Sequence, residues 1–116
     1  MYTYRCEVLR VIDGDSLECQ LHLGFEITYT CVVRLSGVDA WESRTRDVEE
    51  KKKGIAATSF TSQFVTGGKE IIFMSKSYDA ERGKYGRVIG MLEVDGELLN
   101  SALIEAGHAK TYSKKG

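Results

Sequence analysis

The stretch LECQLHLGFEITYTCVVRLSG, residues 17–37, decides the fold class of this chain. Residues 17–23 alternate apolar with polar side chains, which predicts a half-buried strand. Gly24 interrupts the pattern, and a longer alternation follows over 25–35 before Gly37 ends it. The apolar faces of these two predicted strands comprise Leu17, Cys19, Leu21 and Leu23, then Phe25, Ile27, Tyr29, Cys31, Val33 and Leu35.

The flanking segments extend this β pattern. Residues 8–12 form a short apolar run that stops at the turn signal Asp13-Gly14-Asp15. Two further strands are predicted over 70–75 and 86–94. Five strands are therefore expected in total.

Two segments have apolar residues at helical spacing, one between the third and fourth predicted strands and one after the fifth. Ala56, Ala57, Phe60 and Phe64 predict a helix that starts near residue 54 and stops at two glycines, 67 and 68. A second helix is expected over 99–106, ended by Gly107, and residues 39–53 and 76–85 are interpreted as surface loops. Three strands, a helix, two strands and a helix predict a mainly β, α+β fold: a five-stranded OB-fold-like antiparallel barrel with two or three short helices.

Length and composition narrow the class of protein. The chain has 116 residues, which suffice for one compact domain and not for two, so residues 1–116 are expected to form a single domain. No stretch approaches the ~20 apolar residues of a membrane span. The net charge of −1 argues against a protein that coats DNA by charge alone, but an enzyme that contacts a few phosphates remains compatible with it.

The cysteines and the first residues favour an intracellular setting. Cys6, Cys19 and Cys31 are an odd number, so we expect buried free thiols rather than a disulfide framework. The start of the chain lacks the pattern of a signal peptide. A cytoplasmic protein is therefore expected, or a secreted one if a leader has been removed. We expect a monomer, with an oligomer left open.

Several charged residues fall at predicted strand ends. Each has a plain structural explanation: Asp13 and Asp15 as turn residues, Arg34 as a cross-strand ion-pair partner. If the barrel gathers them at one rim, carboxylates and backbone carbonyls make a site for Ca²⁺ or Mg²⁺, and arginines can bind a phosphate. Those are the groups needed to hydrolyse a phosphodiester. The candidates are Asp13, Asp15, Arg34, Asp39, Glu42 and Arg87.

Four segments in order resemble the staphylococcal nuclease family. VIDGDSL at 11–17 resembles its VxDGDT segment, and VRLSGVDAWE at 33–42 its VRLxGIDxPE segment. KYGR at 84–87 is similar to the YGR motif, and residues 96–109 resemble the family's LN…LV…GxA helix. The resemblance extends over about residues 6–112. It implies an OB-like barrel that cleaves DNA and RNA with Ca²⁺.

The resemblance also implies roles for individual residues. Asp15 and Asp39 would bind Ca²⁺ through their carboxylates, and Ala40 through its backbone carbonyl. Arg34 and Arg87 would hold the scissile phosphate. The remaining catalytic position, the general base that activates or positions the attacking water, corresponds to Glu42. The products would carry 3′-phosphate ends.

Three aromatic residues are further candidates for substrate binding. Tyr85 and Tyr112 match tyrosines that line the nucleotide pocket in the family, and Tyr112 has the alternative of a simple packing residue. Trp41 replaces a family proline, and either leaves its loop less stiff or stacks on a base.

Two alternatives to an active nuclease stay open. One is a catalytically weak or inactive module that binds nucleic acid or a protein partner. The other is an interaction part of a larger assembly. The complete set of five family side chains, Asp15, Arg34, Asp39, Glu42 and Arg87, favours the nuclease.

Overall fold

The computed structural model describes residues 2–42, 45–79 and 87–111, without the side chains of residues 78 and 79. Within these ranges the chain forms strands β1 to β8 and helices α1 and α2. Their bounds are β1 Thr3–Asp13, β2 Ser16–Gly24, β3 Ile27–Leu35, β4 Val38–Ala40, α1 Val48–Val65, β5 Ile71–Asp79, β6 Arg87–Val94, β7 Glu97–Leu98, α2 Leu99–Glu105 and β8 Ala109–Thr111.

Five of the strands close a barrel. Strand β1 pairs antiparallel with β2 and with β5, β2 pairs with β3, and β5 pairs with β6. A parallel pairing between β3 and β6 completes the circle. Short strand β7 continues from β6, while β4 and β8 form a separate antiparallel pair. The predicted five-stranded OB-fold-like barrel is confirmed.

The barrel interior follows the alternation of β2 and β3. Leu17, Cys19 and Leu21 are buried from β2, and residues 31, 33 and 35 from β3. The predicted apolar faces were wrong around the β2–β3 turn, where Leu23 and Ile27 are exposed as well as Phe25. Phe25 is 97% exposed, because it forms the tip of the β2–β3 turn, where its backbone adopts a positive φ of 53°.

The three cysteines lie inside this core as free thiols, as expected. Cys19 faces Cys31 across the β2–β3 pair. Burial raises the pKa of the Cys31 thiol to about 12. A hydrogen bond with Cys6, together with burial, raises the pKa of Cys19 above its ordinary value. Protonated, buried thiols are poor nucleophiles and pack as small apolar groups.

Helix α1 begins earlier than predicted. The loop expected over 39–53 was wrong, because 38–40 form β4 and the helix begins at Val48. The Asp47 carboxylate caps this helix by accepting hydrogen bonds from the backbone of residues 49 and 50 at 3.0 and 3.1 Å. The charged first turns face solvent, so they carry no apolar period to detect. Ala56 is exposed, and the buried positions are Gly54, Ala57 and Thr61.

Two strands are also longer than predicted. Strand β1 begins at Thr3, and β5 continues to Asp79 through residues expected to form a loop. Polar side chains on an outer sheet face conceal such extensions. Residues 80–86, predicted as loop and strand start, lie outside the described residues. The second helix ends as predicted, with Gly107 at a positive φ of 78°. Neither helix in the described ranges has the length and apolar character to cross a bilayer.

Candidate active site

The turn between β1 and β2 is packed tightly against two other elements. A Cβ on Gly14 would lie 3.0 Å from the Ala57 Cβ of α1 and 3.1 Å from the Ala40 Cβ of β4. The Thr61 hydroxyl donates a buried hydrogen bond of 2.7 Å to the Gly14 carbonyl. A side chain at this position would require the helix or the strand to move by a few tenths of an ångström. The turn that carries Asp15 is therefore held in one position by tertiary contacts.

The Asp15 carboxylate is buried and oriented by three donors. Its Oδ2 atom lies 3.0 Å from Arg34 Nη1 and accepts the backbone N–H of Ala40 at 3.0 Å. Its Oδ1 atom accepts the Ser16 hydroxyl at 3.2 Å. The Arg34 Nη1 atom also donates to the Leu35 carbonyl at 2.9 Å. Asp15 thus links three parts of the chain: its own turn, strand β3 and strand β4.

Strand β4 presents Asp39 between two buried neighbours. Val38 and Ala40 point inward, and Asp39 is exposed. The turn before β4 is fixed by Asn100 of α2. Its Nδ2 donates to the Ser36 carbonyl at 2.8 Å, and its Oδ1 accepts the backbone N–H of Leu92 at 3.1 Å. Buried amide hydrogen bonds of this kind couple the position of Asp39 to helix α2 and strand β6.

All of the non-aromatic candidates meet at one cavity of about 290 Å³. Four of the residues that line it bear carboxylates and two bear guanidinium groups. The complete lining is Ile12, Asp13, Asp15, Ser16, Val32, Arg34, Asp39, Ala40, Glu42 and Arg87. Residues distant in sequence therefore share one hollow at the turn end of the barrel.

Arg87 lines this cavity and has one unpaired donor. It begins β6 and lies beside Val32 in the parallel β3–β6 pair. Its Nε atom is buried and has no hydrogen-bond partner among the described residues. A buried polar group without a partner costs about 1–3 kcal/mol, and the Thr58 hydroxyl is another such group in the described part of the chain.

The donor chemistry of the cavity suits a hard cation. In the described part of the chain, no three His, Cys, Asp or Glu side chains are close enough together to hold a metal ion. The set implied by the resemblance requires only two carboxylates, those of Asp15 and Asp39, with the Ala40 carbonyl and water. Calcium and magnesium accept such mixed oxygen sets. The Ala40 N–H bond to Asp15 holds these groups beside each other.

Of the three aromatic candidates, only Trp41 lies in the described part of the chain, and it is not among the residues that line the cavity. Trp41 lies between two residues that line the cavity, but its ring lies instead beside Lys53 of α1 and Lys110 of β8. Tyr85 and Tyr112 lie outside the described residues.

Some site-supporting residues were not identified from the sequence. Ser16, Thr61 and Asn100 act through hydrogen bonds across elements, and nothing in their local sequence indicates those partners. Lys53 was part of the segment 39–53 that was predicted as a surface loop. Asp13 was a candidate, but the resemblance implied no role for it; it is buried and lines the cavity. Its glycine-flanked turn was the available signal.

A family model matches the part of the chain that contains most of these site residues. Residues 32–116 match the family model described as Staphylococcal nuclease homologue. The matched region includes Arg34, Asp39, Glu42 and Arg87, while the Asp15 turn precedes it and joins the site through its contacts. The chain therefore belongs to the family of staphylococcal nuclease homologues and is a nuclease-like or nucleic-acid-binding module.

Proposed function

We propose that this protein is a calcium-dependent nuclease of the micrococcal type. It hydrolyses phosphodiester bonds within DNA, RNA or both, and leaves 3′-phosphate ends. The observation that carries the proposal is the cavity whose lining includes four carboxylate and two guanidinium side chains. Carboxylates suit a cation and a water, and guanidinium groups suit a phosphate.

The charge of the cavity supports a requirement for a cation. Asp39 and Glu42 line the cavity and are exposed, while Asp15 is paired with Arg34. Exposed carboxylates repel an anionic phosphodiester until a cation lies beside them. Oxygen-only donors favour Ca²⁺ or Mg²⁺ over softer metals.

The proposed roles combine the family resemblance with the lining of the cavity. Asp15, Asp39 and the Ala40 carbonyl would hold the cation, which when bound would supply positive charge beside the phosphate. Glu42 orients the attacking water and accepts its proton. Arg87, which lines the cavity, holds the phosphate through its guanidinium group and stabilises charge that develops there.

Arg34 has a second task in this scheme. Its guanidinium group now neutralises Asp15 at 3.0 Å. A guanidinium group has five N–H donors, so Arg34 can contact the scissile phosphate while Nη1 stays beside Asp15. Cation binding and phosphate binding are then coupled through one side chain.

The same ion pair favours a second candidate function. Asp15 already accepts hydrogen bonds from Ala40 and Ser16 in addition to the contact with Arg34. If Arg34 does not release it, the cation is held weakly and turnover is lost. The protein is then a barrel that binds nucleic acid or a protein partner without cleavage.

A cleavage assay separates these functions. Purified protein is incubated with single-stranded DNA and with RNA in calcium, in magnesium and with a chelator. The proposal expects degradation in calcium, none with chelator, and products with 3′-phosphate ends by end-group analysis. Binding without cleavage in all three conditions would select the second function. Products with 5′-phosphate ends would reject the proposed chemistry.

A further inference from the structure

One cationic and aromatic cluster lies beside the cavity without being part of it. The Nζ atoms of Lys53 and Lys110 are 4.7 and 4.5 Å from the centroid of the Trp41 ring. The ring is half-buried and both lysines are exposed. Trp41, Lys53 and Lys110 are called the Trp41 cluster here.

The cluster is connected to the candidate site by the backbone. Lys110 lies directly opposite Asp39 in the β4–β8 pair. Trp41 stands between Ala40 and Glu42, which both line the cavity. Any polymer held by the cluster therefore passes next to the proposed catalytic carboxylate.

Two like charges at one ring need an explanation. Both ammonium groups lie near the same centroid, so they are less than about 10 Å apart, the Debye length at 0.1 M salt. In the described part of the chain, neither lysine forms an ion pair with a carboxylate. Their mutual repulsion is only partly screened by salt. A bridging anion would relieve it.

The charge of the molecule makes this cluster distinctive. The net charge is −1, and the lining of the neighbouring cavity includes the exposed residues Asp39 and Glu42. Positive charge beside an aromatic ring is the combination with which proteins bind single-stranded nucleic acid, through phosphate contacts and base stacking. A mononucleotide in the cavity has no need of it.

We propose that the Trp41 cluster is a binding subsite for the strand that flanks the cleaved bond, and that the substrate is a single-stranded polynucleotide. Lys53 and Lys110 contact its phosphates, and the indole stacks on a base. This inference rests on the proposed function. A duplex keeps its bases stacked on each other and cannot offer one to Trp41.

The alternative role for the cluster is mechanical. Two cation–π contacts could simply hold the segment 41–42 against α1 and β8, with an energy of about 0.5–1 kcal/mol each. A brace would affect the stability and turnover of the protein. A subsite would instead affect its affinity for long substrates and the salt dependence of that affinity.

The first experiment uses Trp41 as its own probe, because it is the only tryptophan of the chain. The protein is titrated with single-stranded oligothymidylate in chelator, where no cleavage occurs, and Trp41 fluorescence is followed at several salt concentrations. The inference expects quenching. Lys53→Met and Lys110→Met, which keep an apolar stem over the ring, each lower affinity by about three-fold or more at low salt and reduce the salt slope by about 0.7.

Lys69→Met is the matched control. Its Nζ lies 5.7 Å from the Phe64 ring centroid, a cation–π pair outside the cluster and the cavity. This control should keep wild-type affinity and salt slope. Absence of quenching, or equal effects of all three substitutions, would overturn the inference.

The second experiment separates this inference from the proposed function. The kcat/KM of each variant is measured in calcium on oligothymidylate and on a chromogenic mononucleotide diester. A subsite makes the loss several-fold larger on the oligomer, with the change in KM. Equal losses in kcat on both substrates mean a brace and reject the subsite, while the nuclease stands. Quenching by the oligomer with no cleavage of either substrate rejects the nuclease and leaves the subsite supported.

Discussion

Strand β2 begins and ends in a tight turn, and the rest of the molecule contacts these two turns very differently. The turn before it is buried: Asp13 and Asp15 are 9% and 7% exposed, and Gly14 packs against α1 and β4. The turn after it projects into solvent. Phe25 is 97% exposed there, and a Cβ on Gly24 would meet nothing within 4 Å.

The difference lies in what each turn requires. The buried turn contains carboxylates, which are stable inside only when donors surround them, so it depends on Arg34 and Ala40. The exposed turn has no such partners and carries local strain, with positive φ at both Phe25 and Glu26. A turn that is supported by three other elements can position chemical groups. A turn held only by its own strand pair cannot do so with the same precision.

The largest effect is expected from replacing Glu42, which lines the cavity, in comparison with Glu26 in the exposed turn. Glu42→Gln should lower nuclease turnover by at least ~100-fold, because it removes the group that accepts the proton of the attacking water. Glu42 is exposed, so the free energy of unfolding should change little. Glu26→Gln at the opposite end is the matched control and should cleave like wild type. Cleavage rates and urea unfolding measure both outcomes, and an active Glu42→Gln variant would reject the assigned role.

The next largest effect is expected from a substitution that disturbs the packing of the buried turn. Gly14→Ala should destabilise the protein by about 1–3 kcal/mol in urea unfolding, because its new methyl group overlaps Ala57 and Ala40. The backbone of Gly14 is not at positive φ, so space is the obstacle. Adding Ala57→Gly to this variant removes one of the overlapping methyl groups. The double variant should therefore lose less than the sum of the single losses by about 0.5 kcal/mol or more, and strict additivity would contradict the packing argument.

The smallest effect is expected from a substitution that removes the backbone strain of the exposed turn. Replacing Phe25-Glu26 by Asn-Gly should raise the free energy of unfolding by about 1 kcal/mol, since Asn and Gly accept positive φ and suit a two-residue hairpin. Cleavage should stay within about two-fold of wild type. Thermal unfolding and the calcium assay measure the two outcomes. A loss of activity would show that this end of the barrel takes part in function, and it would contradict the contrast between the two turns.

Much of the fold could be predicted because its signals are local. The alternation that begins at Leu17 is confirmed as far as Leu21, and so are the glycines at 24 and 37 and the helix end at Gly107, because each acts within a few residues. The errors at α1 and β5 share one cause. The first turns of α1 are mostly charged, and Lys76 and Ser77 of β5 are exposed, so these segments show no apolar period.

The sequence predicted which residues belong to the candidate site, but it did not predict the contacts between them. Family-like motifs pointed to six of the residues that line the cavity. The ion pair between Arg34 and Asp15, and the unpaired Arg87 donor, have no signature in a linear pattern. Whether a carboxylate is free or already neutralised depends on which side chain another strand brings beside it.

The sequence by itself determined the mainly β class, the turn positions and the resemblance on which the proposed chemistry depends, since periodicity and motifs are properties of neighbouring residues. Only the tertiary structure decided that Asp15, Asp39, Glu42 and Arg87 share one hollow, and that Lys53 and Lys110 meet at Trp41. Those contacts depend on strand register, on the parallel closure of β3 with β6, and on the packing of α1 against the Gly14 turn. Each is an interaction between distant segments, set when the barrel closes.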